Sequence, residues 1–150
     1  MNAPMAALYK TTPEALLGRD VSLDGTRVLL AEDNPVNTLV ATRMLRKIGC
    51  VVTHAADGRQ ALAEFQRGSF DVVLLDVQMP EMDGLECSRA IRASEANGAH
   101  VPIIALTASA MLGDDARCFA AGMDGYMTKP INRDELFDVL VRARRTRAAA

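Results

Sequence analysis

Residues 71–84 read DVVLLDVQMPEMDG. The first six, Asp71–Asp76, have the length of a β-strand and hold an unbroken apolar run between two acids. A strand that is apolar without alternation is buried on both faces, the mark of a parallel sheet covered by helices on each side. The loop that follows, with Pro80 and Asp83-Gly84, breaks the strand and leads into a helix near Leu85–Ser94.

The same alternation extends in both directions. Upstream, Arg27–Glu32 (RVLLAE) is strand-like, and Asn34-Pro35 opens a helix with Asn as cap and Pro at the first helical position. That helix carries Val36, Leu39, Val40, Met44 and Ile48 on one apolar face and closes at Gly49. Cys50–His54 is a second strand, and Asp57-Gly58 starts a helix with Ala61, Leu62 and Phe65 turned inward. Downstream, Pro102–Leu106 forms a fourth strand and a helix follows near Met111–Ala121. Gly125–Lys129 is a short fifth strand, and Arg133–Arg144 a last helix with Leu136, Phe137, Val139 and Leu140. Five strands alternating with five helices define an α/β fold.

Residues 1–25 stand apart as an Ala-rich, Pro-punctuated extension or linker. Their one helical candidate has Thr12 as cap, Pro13, then Glu14 to Leu17. The domain is drawn over residues 26–147, with 148–150 as a tail. At 150 residues there is room for one domain and no second. Apolar residues at 49% and charged residues at 24% exclude wholesale disorder. A net charge of 17 − 19 = −2 argues against a chain whose main task is gripping nucleic acid. DNA binding therefore rests on the arginine-rich ending alone, Arg142, Arg144, Arg145 and Arg147, whose plainer reading is a solvated helix end favoured by the macrodipole. Cys50, Cys87 and Cys118 lack metal-ligand spacing and read as reduced, buried thiols. With neither a signal sequence nor an apolar span, the chain reads as cytoplasmic.

In open parallel sheets the reactive groups lie at the carboxyl ends of the strands. Here those ends carry Glu32-Asp33, Asp76, Thr107 and Lys129-Pro130. Singly, each has an ordinary explanation: a helix cap, a strand-ending turn, a satisfied hydroxyl, a surface lysine. Together they gather three carboxylates, a hydroxyl and an ammonium at one rim. Carboxylates so placed repel one another unless a cation joins them, and an all-oxygen site suits Mg²⁺ better than zinc. His54, at the end of the second strand, is expected to lie away from the acids, and His100 in a loop.

The stretches VLLAEDNPVN, VVLLDVQMPEMDG, IIALTA and GYMTKPI, in this order and spacing, resemble response-regulator receiver domains of two-component signalling. The resemblance runs from about Arg27 to Arg144. It implies a flavodoxin-like (βα)₅ doubly wound sheet of order 2-1-3-4-5, an order for which a chemotaxis receiver is a standard example. By the same resemblance Asp76 is the phosphoacceptor, receiving a phosphoryl group from a phosphohistidine, and Asp33 is a direct Mg²⁺ ligand with Glu32 acting through water. The main-chain carbonyl of Gln78 is the third protein ligand, and Thr107 and Lys129 contact the phosphoryl group. Tyr126 would be a switch aromatic coupled to Thr107, and the Lys129–Pro130 bond would be cis. The implied partner is a histidine kinase or histidine phosphotransfer protein, the chain being either a stand-alone relay receiver or one domain of a hybrid histidine kinase. Self-catalysed phosphoryl acceptance is not turnover, so the chain is not expected to be an enzyme in the usual sense. The enzymatic rival, an aspartate-based phosphatase, wants an acid where Gln78 stands. A nucleotide-binding fold wants a glycine-rich loop where AEDNPVN stands.

Overall fold

The computed structural model describes residues 22–108 and 114–149. Its elements are β1 (Arg27–Ala31), α1 (Pro35–Lys47), β2 (Val51–Ala55), α2 (Gly58–Arg67), β3 (Val72–Asp76), α3 (Gly84–Ser94), β4 (Ile103–Thr107), α4 (Asp114–Ala120), β5 (Gly125–Thr128) and α5 (Arg133–Ala149). All strand pairs are parallel, and the order is β2-β1-β3-β4-β5. This is the expected doubly wound sheet. The helix expected from Met111 is seen from Asp114, and residues 111–113, like Ser109 and the candidate helix at Thr12–Leu17, lie outside the described residues.

Every residue of β3 is buried, as its unbroken apolar run requires. Alternate side chains of the strands divide between two cores. Leu29, Val73, Leu75, Ile103 and Ala105 pack beneath α2, α3 and α4, through Ala61, Cys87, Ile91 and Cys118. Val28, Leu30, Leu74, Ile104 and Leu106 pack on the other side against α1 and α5, through Ala41, Leu45, Leu136 and Leu140. Both cores press on the central strands, so the carboxyl ends of β1, β3 and β4 are held in fixed register.

The helix starts follow their caps. Asn34 Oδ1 accepts from the N–H groups of Val36 and Asn37, and Asp57 and Asp83 cap α2 and α3 in the same way. β2 and β4 begin one residue later than the sequence pattern implies. The Cys50 N–H is taken by Leu45 O in the closure of α1, and Pro102 has no N–H to offer a ladder. At its far end α5 continues through Ala149, beyond the Arg144 expected, because Ala and Arg are strong helix formers and its terminal cations favour the macrodipole. Two of those arginines are engaged: Arg142 Nε bonds Asp138 Oδ2 at 3.0 Å and Arg144 Nη1 donates to Thr26 Oγ1 at 2.7 Å. Neither is therefore held out as a free cation for DNA. Among the described residues no helix is long and apolar enough to cross a membrane.

One expectation is overturned in α1. The buried residues are Ala41 and Leu45, with Met44 and Ile48 packed beside them. Val36, Leu39 and Val40 are 67%, 51% and 44% exposed. The apolar positions of this helix cover more than one face, and the small Ala41 marks where the helix meets the sheet.

Cys50, Cys87 and Cys118 form no disulfide and are all buried. Burial pushes the Cys50 thiol up to about 11 and the Cys87 thiol up to about 12. The thiolate is the reactive form, so all three should be silent to a disulfide reagent at pH 8 in the native chain. All three should titrate in guanidinium. Fast reaction of even one native thiol would mean that the core opens locally.

Candidate functional site

The strand ends bring the expected residues to one rim. Oxygen donors are supplied by Glu32, Asp33 and Asp76, each of which places a carboxylate oxygen within 4.8 Å of the others. Glu32 and Asp76 are buried and Asp33 is exposed. Lys129, from the loop after β5, places Nζ 3.0 Å from Asp76 Oδ2 and 3.5 Å from Glu32 Oε1. Its own N–H bonds Thr107 O at 2.8 Å, so the ammonium is positioned by β4 as well as by its own strand. The Lys129–Pro130 bond is cis, as expected.

Each buried acid is also held by backbone. Asp76 Oδ1 accepts from the Gln78 N–H at 3.1 Å, and Glu32 Oε2 from the Asn34 N–H at 3.1 Å. Burial, reinforced by Asp76, nevertheless keeps the Glu32 carboxyl above its usual range. Burial works to lower the Lys129 value, but its contacts with Asp76 and Glu32 outweigh that and hold it above the usual range. The rim is thus an anionic cluster with one fixed ammonium, able to take a hard divalent cation on oxygen donors.

A cleft of about 420 Å³ opens over the cluster. Asp76, Gln78, Thr107 and Lys129 line it, which brings four of the expected residues together with the acids. Tyr126 is half-buried in β5, opposite Ala105 in the ladder, and packs into the α2–α4 core. Arg117 of α4 also lines the cleft, a residue the sequence reading passed over because no strand-end rule applies to a helix side chain.

His54 corrects another expectation. Its Nε2 lies 2.8 Å from the main-chain oxygen of Glu32, and Thr38 Oγ1 lies 3.3 Å from that same oxygen. A carbonyl only accepts, so Nε2 carries the hydrogen here. The β1–β2 register pairs Leu30 with His54, and this sets the ring beside the acid-bearing turn. His100 instead sits 2.7 Å from Asp124 Oδ1, at the opposite end of the sheet, where Asp124 accepts from the Ile103 N–H.

The loop after β3 is closed by glycine. Gly84 donates its N–H to Val77 O at 2.9 Å, and a Cβ there would stand 2.2 Å from Asp76 O. Gly58 meets Met82 O in the same manner. A side chain at Gly84 would drive the backbone that carries Asp76 out of position, and one at Gly58 would displace the loop at Met82.

A family model described as the response regulator receiver domain matches residues 28–141. The chain belongs to that family. A hybrid signal transduction histidine kinase (kinase I) of Dictyostelium discoideum is 45% identical over 120 residues, covering 76% of this chain and 7% of that protein. The receiver domain of a sensor histidine kinase from Pseudomonas aeruginosa PAO1, solved with magnesium coordinated in its active-site cleft, is 48% identical with a TM-score of 0.74. That match covers 80% of this chain and 98% of the other. The receiver domain of the Saccharomyces cerevisiae regulator Ssk1, solved with the histidine phosphotransfer protein Ypd1, is 29% identical with a TM-score of 0.69, covering 76% and 85%. The chain spans no more than 15% of the length of the curated relatives it matches here.

Replacing Gly84 by Ala should destabilise the fold by about 1–3 kcal/mol, the usual cost of forcing atoms into filled space. A lower urea midpoint with an unchanged slope is the expected reading. An unchanged midpoint would show that the Asp76 backbone yields without cost.

Proposed function

We propose that the chain is a phosphorelay receiver that takes a phosphoryl group on Asp76 from a phosphohistidine of a partner. The observation that carries this reading is the Lys129 ammonium at 3.0 Å from Asp76 Oδ2, with Glu32 and Asp33 beside them. A carboxylate oxygen of Asp76 attacks phosphorus, the P–N bond breaks, and the electron pair leaves with the imidazole of the donor. Lys129 holds the acceptor in place and neutralises charge that spreads over the phosphoryl oxygens. Thr107, at the end of the neighbouring strand, offers its hydroxyl on the other side of the cleft.

Asp33 and Asp76, with the main-chain carbonyl of Gln78, would hold Mg²⁺, and Glu32 would act through water. When bound, that ion supplies the positive charge that lets three carboxylates and a phosphoryl group share one rim. Tyr126, on the strand next to the one that ends in Thr107 and paired there with Ala105, is assigned the role of switch aromatic. The residue two positions after Asp76 is Gln78, not an acid, which favours acceptance of the group over rapid hydrolysis of phosphate esters.

The partner surface in this reading is the exposed apolar turn of α1. Val36, Leu39 and Val40 are exposed and follow closely on Asp33-Asn34 in the chain. A helical histidine-bearing phosphotransfer protein, or the corresponding domain of a hybrid kinase, would cover them while presenting its histidine to Asp76.

Intact mass after incubation with Mg²⁺ and acetyl phosphate tests the chemistry. One added phosphoryl group is expected, lost in Asp76→Asn and lost with excess chelator. An adduct that survives Asp76→Asn would move the acceptor elsewhere. Leu39→Asp tests the surface: transfer from a phosphorylated histidine phosphotransfer protein should slow about tenfold or more relative to labelling by acetyl phosphate, equivalent to about 1.4 kcal/mol. Equal slowing of both reactions would count against α1 as the docking face.

A further inference from the structure

Glu32 and Asp33 hang from one peptide unit. That unit is planar, so the Glu32 carbonyl oxygen shares a plane with the Cα atoms of both residues. Whatever fixes the oxygen therefore fixes where both acidic side chains start. At this point the sheet ladder has run out. The β1–β2 register ends with Ala31 opposite Ala55, and the Glu32 N–H to Ala55 O, at 3.0 Å, is the last main-chain bond on that side. Beyond it Ala56 gives its N–H to Gln60 Oε1, and Asp57 caps α2. Among the described residues no main-chain N–H donates to Glu32 O.

Side chains take over that task. His54 Nε2 donates to Glu32 O at 2.8 Å, and Thr38 Oγ1 stands 3.3 Å from the same oxygen. The Thr38 hydroxyl has one hydrogen and a closer acceptor in Asn34 O, at 2.9 Å, so Glu32 O depends on His54. Thr38 Oγ1 also lies 3.3 Å from Nε2, which places the ring edge between β2 and α1. Nε2 carries a hydrogen both in the neutral tautomer required here and in the charged ring, so the contact does not turn on the charge of the imidazole.

The next residue closes the turn from its other end. The Asn34 N–H bonds Glu32 Oε2 at 3.1 Å, while the Asn34 side chain caps α1. Asp33 lies between these two fixed points. It is exposed, and its carboxylate makes no hydrogen bond among the described residues, yet it places an oxygen within 4.8 Å of those of Glu32 and Asp76. Only its backbone aims it at the cluster.

We infer that His54 is a positioning residue for the acid-bearing turn: by holding Glu32 O it aims Asp33 into the cluster and raises the affinity of the site for Mg²⁺. The inference rests on the reading above in which Asp33 and Asp76 hold that ion. His54 is itself exposed, and an exposed carbonyl that loses its donor turns to water at small cost. Loss of the imidazole is therefore felt in metal binding, not in the stability of the fold.

Calorimetric titration of the unphosphorylated full chain with Mg²⁺ alone tests this. His54→Phe keeps a ring and removes the donor, and His54→Gln restores an N–H at similar reach. Mg²⁺ affinity should fall about tenfold in His54→Phe, the usual cost of removing a group that orients a metal ligand. His54→Gln should recover most of the loss, with the urea midpoints of all three proteins alike. Labelling by acetyl phosphate should need correspondingly more Mg²⁺ in His54→Phe, with the rate at saturating Mg²⁺ within about twofold of the native chain. Equal Mg²⁺ affinity in the native chain and His54→Phe overturns the inference. So does a loss that His54→Gln leaves unrepaired, or one that comes with a lowered urea midpoint, since either would mean a merely structural role. A native chain that binds Mg²⁺ but takes no phosphoryl group would fail the phosphoacceptor reading and leave the affinity comparison to decide this one.

Discussion

The site depends on a single electrostatic balance. Glu32 and Asp76 are buried carboxylates on neighbouring strands, and the only charge set between them among the described residues is the ammonium of Lys129. Without it, two anions would sit in a poorly hydrated crevice with only the Asn34 and Gln78 N–H groups in support. Lys129 comes from the loop after β5, two strands away from Asp76 in the sheet. Its distance to Asp76 is therefore set by the whole register β3-β4-β5, locked at its end by the Lys129 N–H to Thr107 O. The parallel sheet is what converts residues 53 positions apart in the chain into a 3.0 Å ion pair.

A second constraint is steric. The backbone of Asp76 is covered by Gly84, at a distance that no side chain could share. The loop and Asp76 are consequently one rigid piece: Gly84 closes the turn on Val77, Gln78 donates to the Asp76 carboxylate, and the Asp83 and Glu86 capping box starts α3 immediately after. The cleft opens over this piece, with Thr107 and Arg117 also in its lining. A site made this way can hold an acid in place while leaving its outer side open to the cleft.

Much of this was legible from residue order. Unbroken apolar runs announced buried parallel strands, caps at Asn34, Asp57 and Asp83 announced helix starts, and the strand-end rule gathered Glu32, Asp33, Asp76, Thr107 and Lys129. Features set by the register between strands, or by which side of a helix meets a neighbour, were not legible. His54 looked remote because sequence distance hides that β2 pairs with β1 one residue below the acids. The face of α1 was misread because Val36, Leu39 and Val40 match a helical period as well as Ala41 and Leu45 do, and a hydrophobicity pattern cannot say that the smaller residue makes the closer contact. Arg117 had no motif to mark it.

The helix α1 exposes three large apolar residues, Val36, Leu39 and Val40, shortly after Asp33 and Asn34 in the chain. Exposed apolar surface grouped in this way is surface kept for a partner that comes and goes. In the proposed reading an incoming histidine needs direct access to Asp76, so the face its carrier uses has to follow closely on the acid-bearing turn. The start of α1 meets that requirement, because Asn34 caps the helix through its side chain while its own N–H is held by the carboxylate of Glu32.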